Sequence, residues 1–311
     1  MKISVVIPLY NEESLVRELI ERVGAAIEAV PEPSEILIVD DGSTDNTLAV
    51  LVSEQEKNSR IKIISLSRNF GLQAAIHAGI EHASGESIIV MDGDFQDPPE
   101  LIPLLVGKLN DGDLDIVIGR RSSRKERWPK RVFIRWFHNI MEPRSAEGKL
   151  YDTGNFCILK RPAAVGILNA GEKQRYFPGL RSYVGFKVDY IDYERIDRSD
   201  GKPKMTYRKL FSLAADSLFA FSKWPLRLCF IAGIISLFVF VLAIIYTLLS
   251  KKLGLAPLGW SSTFISIYLF GSLQLTFLGV LGEYIFRVYK EVQNRPLYII
   301  RKVYDSRQQD L

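Results

Sequence analysis

The sequence predicts an α/β fold: a mostly parallel sheet flanked by helices, followed by an amphipathic interface helix and a two-helix transmembrane hairpin. Three observations carry this. Short β-branched runs alternate with helical periodicity from residue 1 to 119. A polar motif follows each of the first four apolar runs. Two charge-free apolar stretches near the C-terminal end, 228–249 and 264–281, are each long enough to cross a hydrocarbon core of ~30 Å.

Residues 3–9, 36–40, 61–66, 87–91 and 116–118 read as strands, and 12–29, 45–57, 71–83 and 98–109 as helices. Helices on both faces leave the carboxyl ends of the strands as the place for a ligand. The polar motifs sit there, at 10–12, 40–45, 67–69 and 92–96. In IIVMDGDFQDPPE (88–100) an apolar run stops at Asp92 and Asp94, with Gly93 between them and Gln96 two residues on, and Pro98 and Pro99 can open a helix. Two hard carboxylates backed by an amide oxygen suit Mg²⁺ or Mn²⁺ held against a diphosphate. In VDDGSTDNT, Asp41-Gly42 makes a turn and Ser43 or Thr44 can cap the next helix. Asp40 and Asp41 remain acceptors for a base N–H or a ribose hydroxyl. No G-x-G-x-x-G follows the first strand and no P-loop is present, which disfavours a dinucleotide-binding domain and removes the P-loop NTPases.

Beyond residue 119 the chain turns basic. RRSSRKERWPKRVFIR (120–135) leaves the same sheet edge and suits phosphate or anionic headgroups. YDTGNFCILK returns with Asp152 and then a strand, and 184–193 reads as another. Arg195, Arg198, Lys202 and Lys204 crowd around Gly201 in an anion-binding loop. Residues 205–226 read as a helix lying in a bilayer interface. The spans follow at about 228–249 and 264–284, with Trp224 and Trp260 near the water boundaries. Lys223, Arg227, Arg287, Lys290 and Arg295 outnumber Lys251 and Lys252 of the intervening loop, so residues 1–204 and a basic tail, 287–311, are expected in the cytoplasm. Glu283 and Arg287, four apart, are expected to pair. Gly233, Gly271 and Gly279 offer close helix packing and suggest a homo-oligomer.

Composition agrees with a membrane-bound catalytic chain. The 311 residues carry 40 Lys+Arg against 36 Asp+Glu, and a net charge of +4 is too mild to argue for nucleic acid. Mean hydropathy of +0.07 with 24% charged residues implies that apolar residues are concentrated in part of the chain. Two cysteines make no disulfide framework, and the start MKISVVIPLYNEE lacks the features of a signal peptide. His77, His82 and His138 show no zinc spacing and read as structural.

Together VVIPLYNEE, ILIVDDGSTDNT, LSRNFGLQAAIHAGI, VMDGDFQDPPELIP, DTGNF, RYFPGLRSYVGF and the basic loop before LAADSLFAFS make the chain resemble a family 2 glycosyltransferase of GT-A fold. Within that family it resembles the dolichol-phosphate mannosyltransferase-like group, and there the bacterial bactoprenol glucosyltransferases with two C-terminal spans. The resemblance implies transfer of a sugar, glucose from UDP-glucose, to undecaprenyl phosphate at the bacterial inner membrane. Sibling enzymes that use GDP-mannose, UDP-GlcNAc or a UDP-aminoarabinose, and a catalytically silent scaffold, are the alternatives. It implies that Pro8, Tyr10, Glu12, Asp40, Asp41 and Asp92 line the nucleotide pocket, and that Asp92, Asp94 and Gln96 hold the metal and diphosphate. Arg195, Arg198, Lys202 and Lys204, with Arg120, would meet the acceptor phosphate. Asp94, Asp152, Arg198 and Lys204 are the expected catalytic set. Two departures stand out: Asn155 replaces an acid common in relatives, and Pro203 replaces the serine of a G-x-S-K loop. No Gln-x-x-Arg-Trp is present, which argues against a processive polysaccharide synthase.

Overall fold

The computed structural model describes residues 2–121, 153–171, 176–194 and 260–305, with scattered helical positions between 229 and 249. The chain divides into two compact units. One comprises Met1–Glu126, Glu147–Lys202 and Arg295–Leu311, the other Arg127–Ala146 and Pro203–Asn294.

The first unit is built on one eight-stranded sheet. Its strands are β1 (Ile3–Leu9), β2 (Ser34–Asp40), β3 (Ile61–Leu66), β4 (Ser87–Val90), β5 (Ile116–Arg121), β6 (Thr153–Lys160), β7 (Val188–Tyr193) and β8 (Ile300–Asp305), in the spatial order β7-β5-β6-β4-β1-β2-β3-β8. The expected parallel core is present as β4-β1-β2-β3. The sheet as a whole is mixed, because β6 runs against both β4 and β5, and β8 runs against β3.

The strands read as continuous apolar runs because helices cover both faces. On β1, Ile3, Val5, Ile7 and Leu9 face one cluster, with Val16, Leu19 and Val23 of α1 (Val16–Glu28), Leu51 of α2 (Thr47–Lys57) and Leu105 of the helix after β4. Val6 faces the other, with Ala75, Ile76 and Ile80 of α3 (Leu72–His82). On β2, Ile36 and Ile38 join the first cluster and Leu37 and Val39 the second. This period-two split is what a two-faced strand requires. The helix after β4 begins with a 3-10 turn at Pro99–Leu101 and continues as α4 (Ile102–Asn110), so the prolines open it as expected. Two short helices, α5 (Arg161–Asn169) and α6 (Phe177–Tyr183), complete the second face. At the amino edge of the sheet Glu35 is buried. It accepts hydrogen bonds from Ser4 Oγ, Ser84 N and Ser84 Oγ, with Lys2 Nζ at 3.3 Å.

The expected tail 287–311 is structured differently. The last helix, α7 (Trp260–Val292), runs without a break past the anticipated boundary, and β8 then joins the sheet of the first unit. Alternating side chains in IRKVYD let a charged segment serve as an edge strand, and Lys62 of β3 meets Asp305 at 3.7 Å. In the second unit, Leu269–Val292 is long and apolar enough to cross a membrane by length and composition. It is the one such helix among the described residues; of the first expected span, 228–249, the described positions are helical and nine of the 22 fall outside the description. Arg287 pairs with Glu283 at 2.8 Å, as their spacing suggested. A Cβ added at Gly233 would lie 3.9 Å from the Phe277 ring, so this glycine faces the chain's own α7. The interface helix, the 195–204 loop, most of the 120–135 stretch and Asp152 fall outside the described residues.

Candidate active site

The carboxyl ends of β1, β2, β3 and β4 bring the polar motifs to one edge, and their loops are stitched together. Tyr10 is 41% exposed, whereas Pro8 is buried inside β1 opposite Val39. Asn11 adopts a left-handed φ of 53° and joins the loops after β1 and β2. Its N–H donates to Ser43 Oγ at 3.0 Å, and its side-chain carbonyl accepts from Thr44 N at 2.8 Å. Glu12 N donates to Thr47 Oγ1 at 3.0 Å. These bonds use the residues expected to begin the first helix, which therefore starts at Val16.

Asp40 and Asp41 are both buried, and their carboxylates hold loops. Asp40 accepts from Ser43 N at 3.0 Å and Ser65 Oγ at 3.1 Å. Asp41 accepts from Phe70 N at 2.8 Å and Gly71 N at 2.9 Å. Burial raises the Asp41 carboxyl above its usual range, and these two backbone bonds oppose the rise. The polar surface here comes from exposed Tyr10 and Thr44 with half-buried Asn11, and not from the two buried aspartates. Gly42 has a φ of +66°, and a Cβ on it would lie 2.4 Å from the Arg68 carbonyl carbon, so the 67–71 loop packs directly on the Asp41-Gly42 turn.

The segment after β4 is the most constrained part of the edge. Met91 keeps a sheet bond to Val6 O at 3.1 Å. Asp92, Asp94 and Gln96 are half-buried. Gly93 lies between the acids where a Cβ would come within 2.2 Å of Leu9 Cδ2, so any side chain here would have to push the Leu9 side chain aside at the end of β1. Asp94 Oδ1 accepts from Gln96 N at 3.2 Å, and Phe95 between them has φ 58°, a costly conformation for an aromatic residue. Arg22 of α1 holds it there. Its guanidinium lies 4.7 Å from the Phe95 ring centroid and bonds both Glu100 oxygens, at 2.9 and 3.1 Å.

The antiparallel return of β6 completes the edge. Val90 pairs with Cys157, so two residues further along each strand Asn155 arrives beside Asp92. Asn155 is buried, and its amide donates to Asp92 Oδ1 at 3.0 Å. Burial pushes the Cys157 thiol up, which keeps it an inert core group. Asp97 is fully buried and accepts from the Tyr193 hydroxyl at the end of β7. Arg181, 2% exposed, donates to Gly154 O at 3.2 Å from beneath β6. Arg120 is engaged within the sheet: it bonds both oxygens of Asp192, at 2.5 and 2.8 Å, with its guanidinium over Tyr190. That pairing holds the Asp192 carboxyl below its usual range.

A sequence model of glycosyl transferase family 2 matches residues 4–165. The chain belongs to that family. The match covers β1 through most of α5, and so includes every described motif of the edge. Curated relatives extend the similarity over nearly the whole length. A glycosyltransferase of Synechocystis sp. is 39% identical over 96% of this chain and 95% of its own. The SfII prophage-derived bactoprenol glucosyl transferase of Shigella flexneri is 36% identical, over 97% and 98% respectively. A prophage bactoprenol glucosyl transferase homolog of Escherichia coli K12 is 34% identical, over 97% and 99%.

The donor set of this family 2 chain fits a small hard cation only if a ligand completes the shell. Asp92, Asp94 and Gln96 provide oxygen donors, and among the described residues no group of three or more His, Cys, Asp or Glu is placed to hold a metal by itself. Mg²⁺ and Mn²⁺ characteristically take one or two carboxylates and draw the rest from phosphates and water. Sequence reasoning found the acids but missed Arg22, Glu100, Asp97, Asp192 and Tyr193. A helix-surface arginine and a strand-end tyrosine carry no local signal. The Asp92–Asn155 pair was recoverable only from the register of β4 with β6.

Proposed function

We propose that this glycosyltransferase moves one sugar, glucose from UDP-glucose, onto a polyisoprenyl phosphate such as undecaprenyl phosphate at the cytoplasmic face of a membrane. The observation that carries the reading is the end-to-end similarity to bactoprenol glucosyl transferases in a chain whose strand edge presents Asp92 and Asp94. The apolar Leu269–Val292 helix supports it, since an acceptor headgroup cannot leave the bilayer surface and the enzyme must come to it.

In this reading the nucleotide lies over the ends of β1 and β2. Tyr10, Asn11, Glu12 and Thr44 offer the surface, and Asp40 and Asp41 fix the loops beneath it. Asp92, Asp94 and Gln96 take the diphosphate end, where a bound divalent cation would neutralise the charge that builds on the leaving group. The acceptor phosphate oxygen attacks the anomeric carbon in line, the bond to the diphosphate breaks, and the configuration inverts. A phosphate monoester has a second pKa near ~6, so at neutral pH the nucleophile needs little help from a base. Asn155, which cannot accept a proton, is compatible with that step. Arg195, Arg198, Lys202 and Lys204 would screen the acceptor, with Asp152 positioning it. Arg120 would join them only by exchanging Asp192 for phosphate.

The test is transfer by the purified chain in detergent with undecaprenyl phosphate, Mg²⁺ or Mn²⁺, and a panel of labelled nucleotide sugars. Label entering the organic phase from UDP-glucose, and lost with EDTA, is the expected result. Label from a different donor would retain the reaction and change the sugar, and none from any donor would defeat the proposal.

A further inference from the structure

The segment that follows α7 does more than close the sheet. Asn294 turns the chain with φ 45°, and Tyr298 then packs against α3, its ring near His77 and His82 and its hydroxyl donating to Glu81 Oε2 at 2.6 Å. From there β8 zips along β3, with Ile64 opposite Val303 and Leu66 opposite Ile300. Where β3 ends, the C-terminal segment takes both sides of the next peptide group. Ser67 N donates to Ile299 O at 2.8 Å, and Ser67 O accepts from Arg301 Nη2 at 2.9 Å.

Ser67 is the first residue of the loop that carries Phe70 and Gly71, whose N–H groups bind Asp41. The same loop lies in van der Waals contact with the Asp41-Gly42 turn, and Arg68 folds its guanidinium over the Phe70 ring at 4.5 Å. One end of the loop is thus held by Asp41 and the other by the C-terminal strand. Between them they set the wall beside the β1 and β2 loops.

We propose that Arg301 is a positioning residue for the nucleotide sugar: by holding the Ser67 carbonyl from β8, it fixes the Ser67–Gly71 loop and the donor pocket wall that this loop forms. The inference rests on the nucleotide-sugar reading above. It makes the strand beyond the last helix part of the donor site, although it lies more than two hundred residues from the motifs it supports. Arg301 is exposed and its guanidinium reaches a backbone carbonyl, so removing it leaves the core intact.

The experiment compares Arg301→Ala with the full-length wild type and with Lys302→Ala. Lys302 sits on the same strand but directs its charge over the Tyr304 ring, away from the loop. Three readouts are needed: donor and acceptor KM in the transfer assay, UDP affinity by calorimetry, and Tm. For Arg301→Ala the expected result is a roughly three- to ten-fold rise in donor KM and a matching loss of UDP affinity, the range for one lost hydrogen bond. kcat, acceptor KM and Tm should stay near wild type. Arg301→Lys, which keeps a cationic donor, should fall between, and Lys302→Ala should match wild type. A wild type that uses a nucleotide sugar while Arg301→Ala keeps its donor KM overturns this inference alone. Equal changes in Arg301→Ala and Lys302→Ala, or a rise confined to acceptor KM, would do the same. A wild type that neither binds UDP nor uses any nucleotide sugar overturns the functional reading and this inference with it.

Discussion

Replacing Asn155 with aspartate tests the placement of Asp92 more sharply than removing Asp92 itself. The change is nearly isosteric, so packing against β4 is kept while the donor amide becomes a second carboxylate. The Asn155–Asp92 contact is 3.0 Å, and two unit charges at that distance repel by about 5 kcal/mol at an effective dielectric constant near 20. The amide-to-carboxylate bond, worth about 1.5–3 kcal/mol, is lost as well. Asp92 is only half-buried, and it can swing toward water, so the net cost should be about 2–4 kcal/mol. For a domain of this size that corresponds to a fall in Tm of roughly 5–15 °C. The assay is thermal unfolding of the purified chain at pH 7.5 with EDTA, repeated with Mn²⁺. Asn155→Asp should melt well below wild type in EDTA and recover part of the difference with Mn²⁺, since a cation offsets the paired charge. Asn155→Ala should show a smaller drop and no such recovery. An Asn155→Asp variant that melts within a degree of wild type in EDTA would falsify the contact. One that transfers sugar faster than wild type would show that position 155 is suited to proton transfer and not to orienting Asp92.

Three other outcomes follow from the same geometry. Asp94→Ala should abolish transfer while leaving the protein folded and membrane-bound; near-normal turnover would remove these acids from the diphosphate end. Arg22→Ala releases the left-handed Phe95 from its cover and from Glu100, so kcat should fall about ten-fold with a Tm change of only a few degrees, and an unchanged kcat would mean that the turn holds itself. Glu35 gives the acid response. Burial opposes its charge, but the bonds from Ser4 and Ser84 and the Lys2 ammonium outweigh it and bring its pKa from 4.5 to about 2. Because the folded value is the lower one, its stabilisation, about 3 kcal/mol, is present above pH 4.5 and disappears as pH falls toward 2. Glu35→Gln should lose that amount at pH 7 and show a flatter acid limb in denaturant titrations, whereas parallel limbs would contradict the network.

The parts of the fold that local chemistry determines were legible in the sequence. β1 and β3 have the bounds that their β-branched runs indicate, and the helices between them follow their apolar periodicity. The carboxyl-edge location of the 10–12, 40–45, 67–69 and 92–96 motifs followed from the alternation alone. What remained hidden depends on pairing across long separations. IRKVYD reads as a charged tail because an edge strand carries only half a hydrophobic pattern, and nothing local says that it will pair with β3. Asn155 reads as a lost acid until the antiparallel register sets it against Asp92. Asp40 and Asp41 read as ligand acceptors, and it takes the loops folding back over them to show that backbone and hydroxyl donors occupy both carboxylates. Arg120 reads as a phosphate ligand until β7 brings Asp192 beside it.

The central claim, that one sugar passes from a nucleotide to a membrane lipid phosphate, is tested most directly by mass spectrometry of the lipid after incubation of the purified chain with undecaprenyl phosphate, UDP-glucose and Mn²⁺. The expected product is a single new species, undecaprenyl phosphate carrying one hexose, that is absent with Asp94→Ala. Unmodified lipid with free glucose in the aqueous phase, or a lipid bearing a growing polymer, would contradict it.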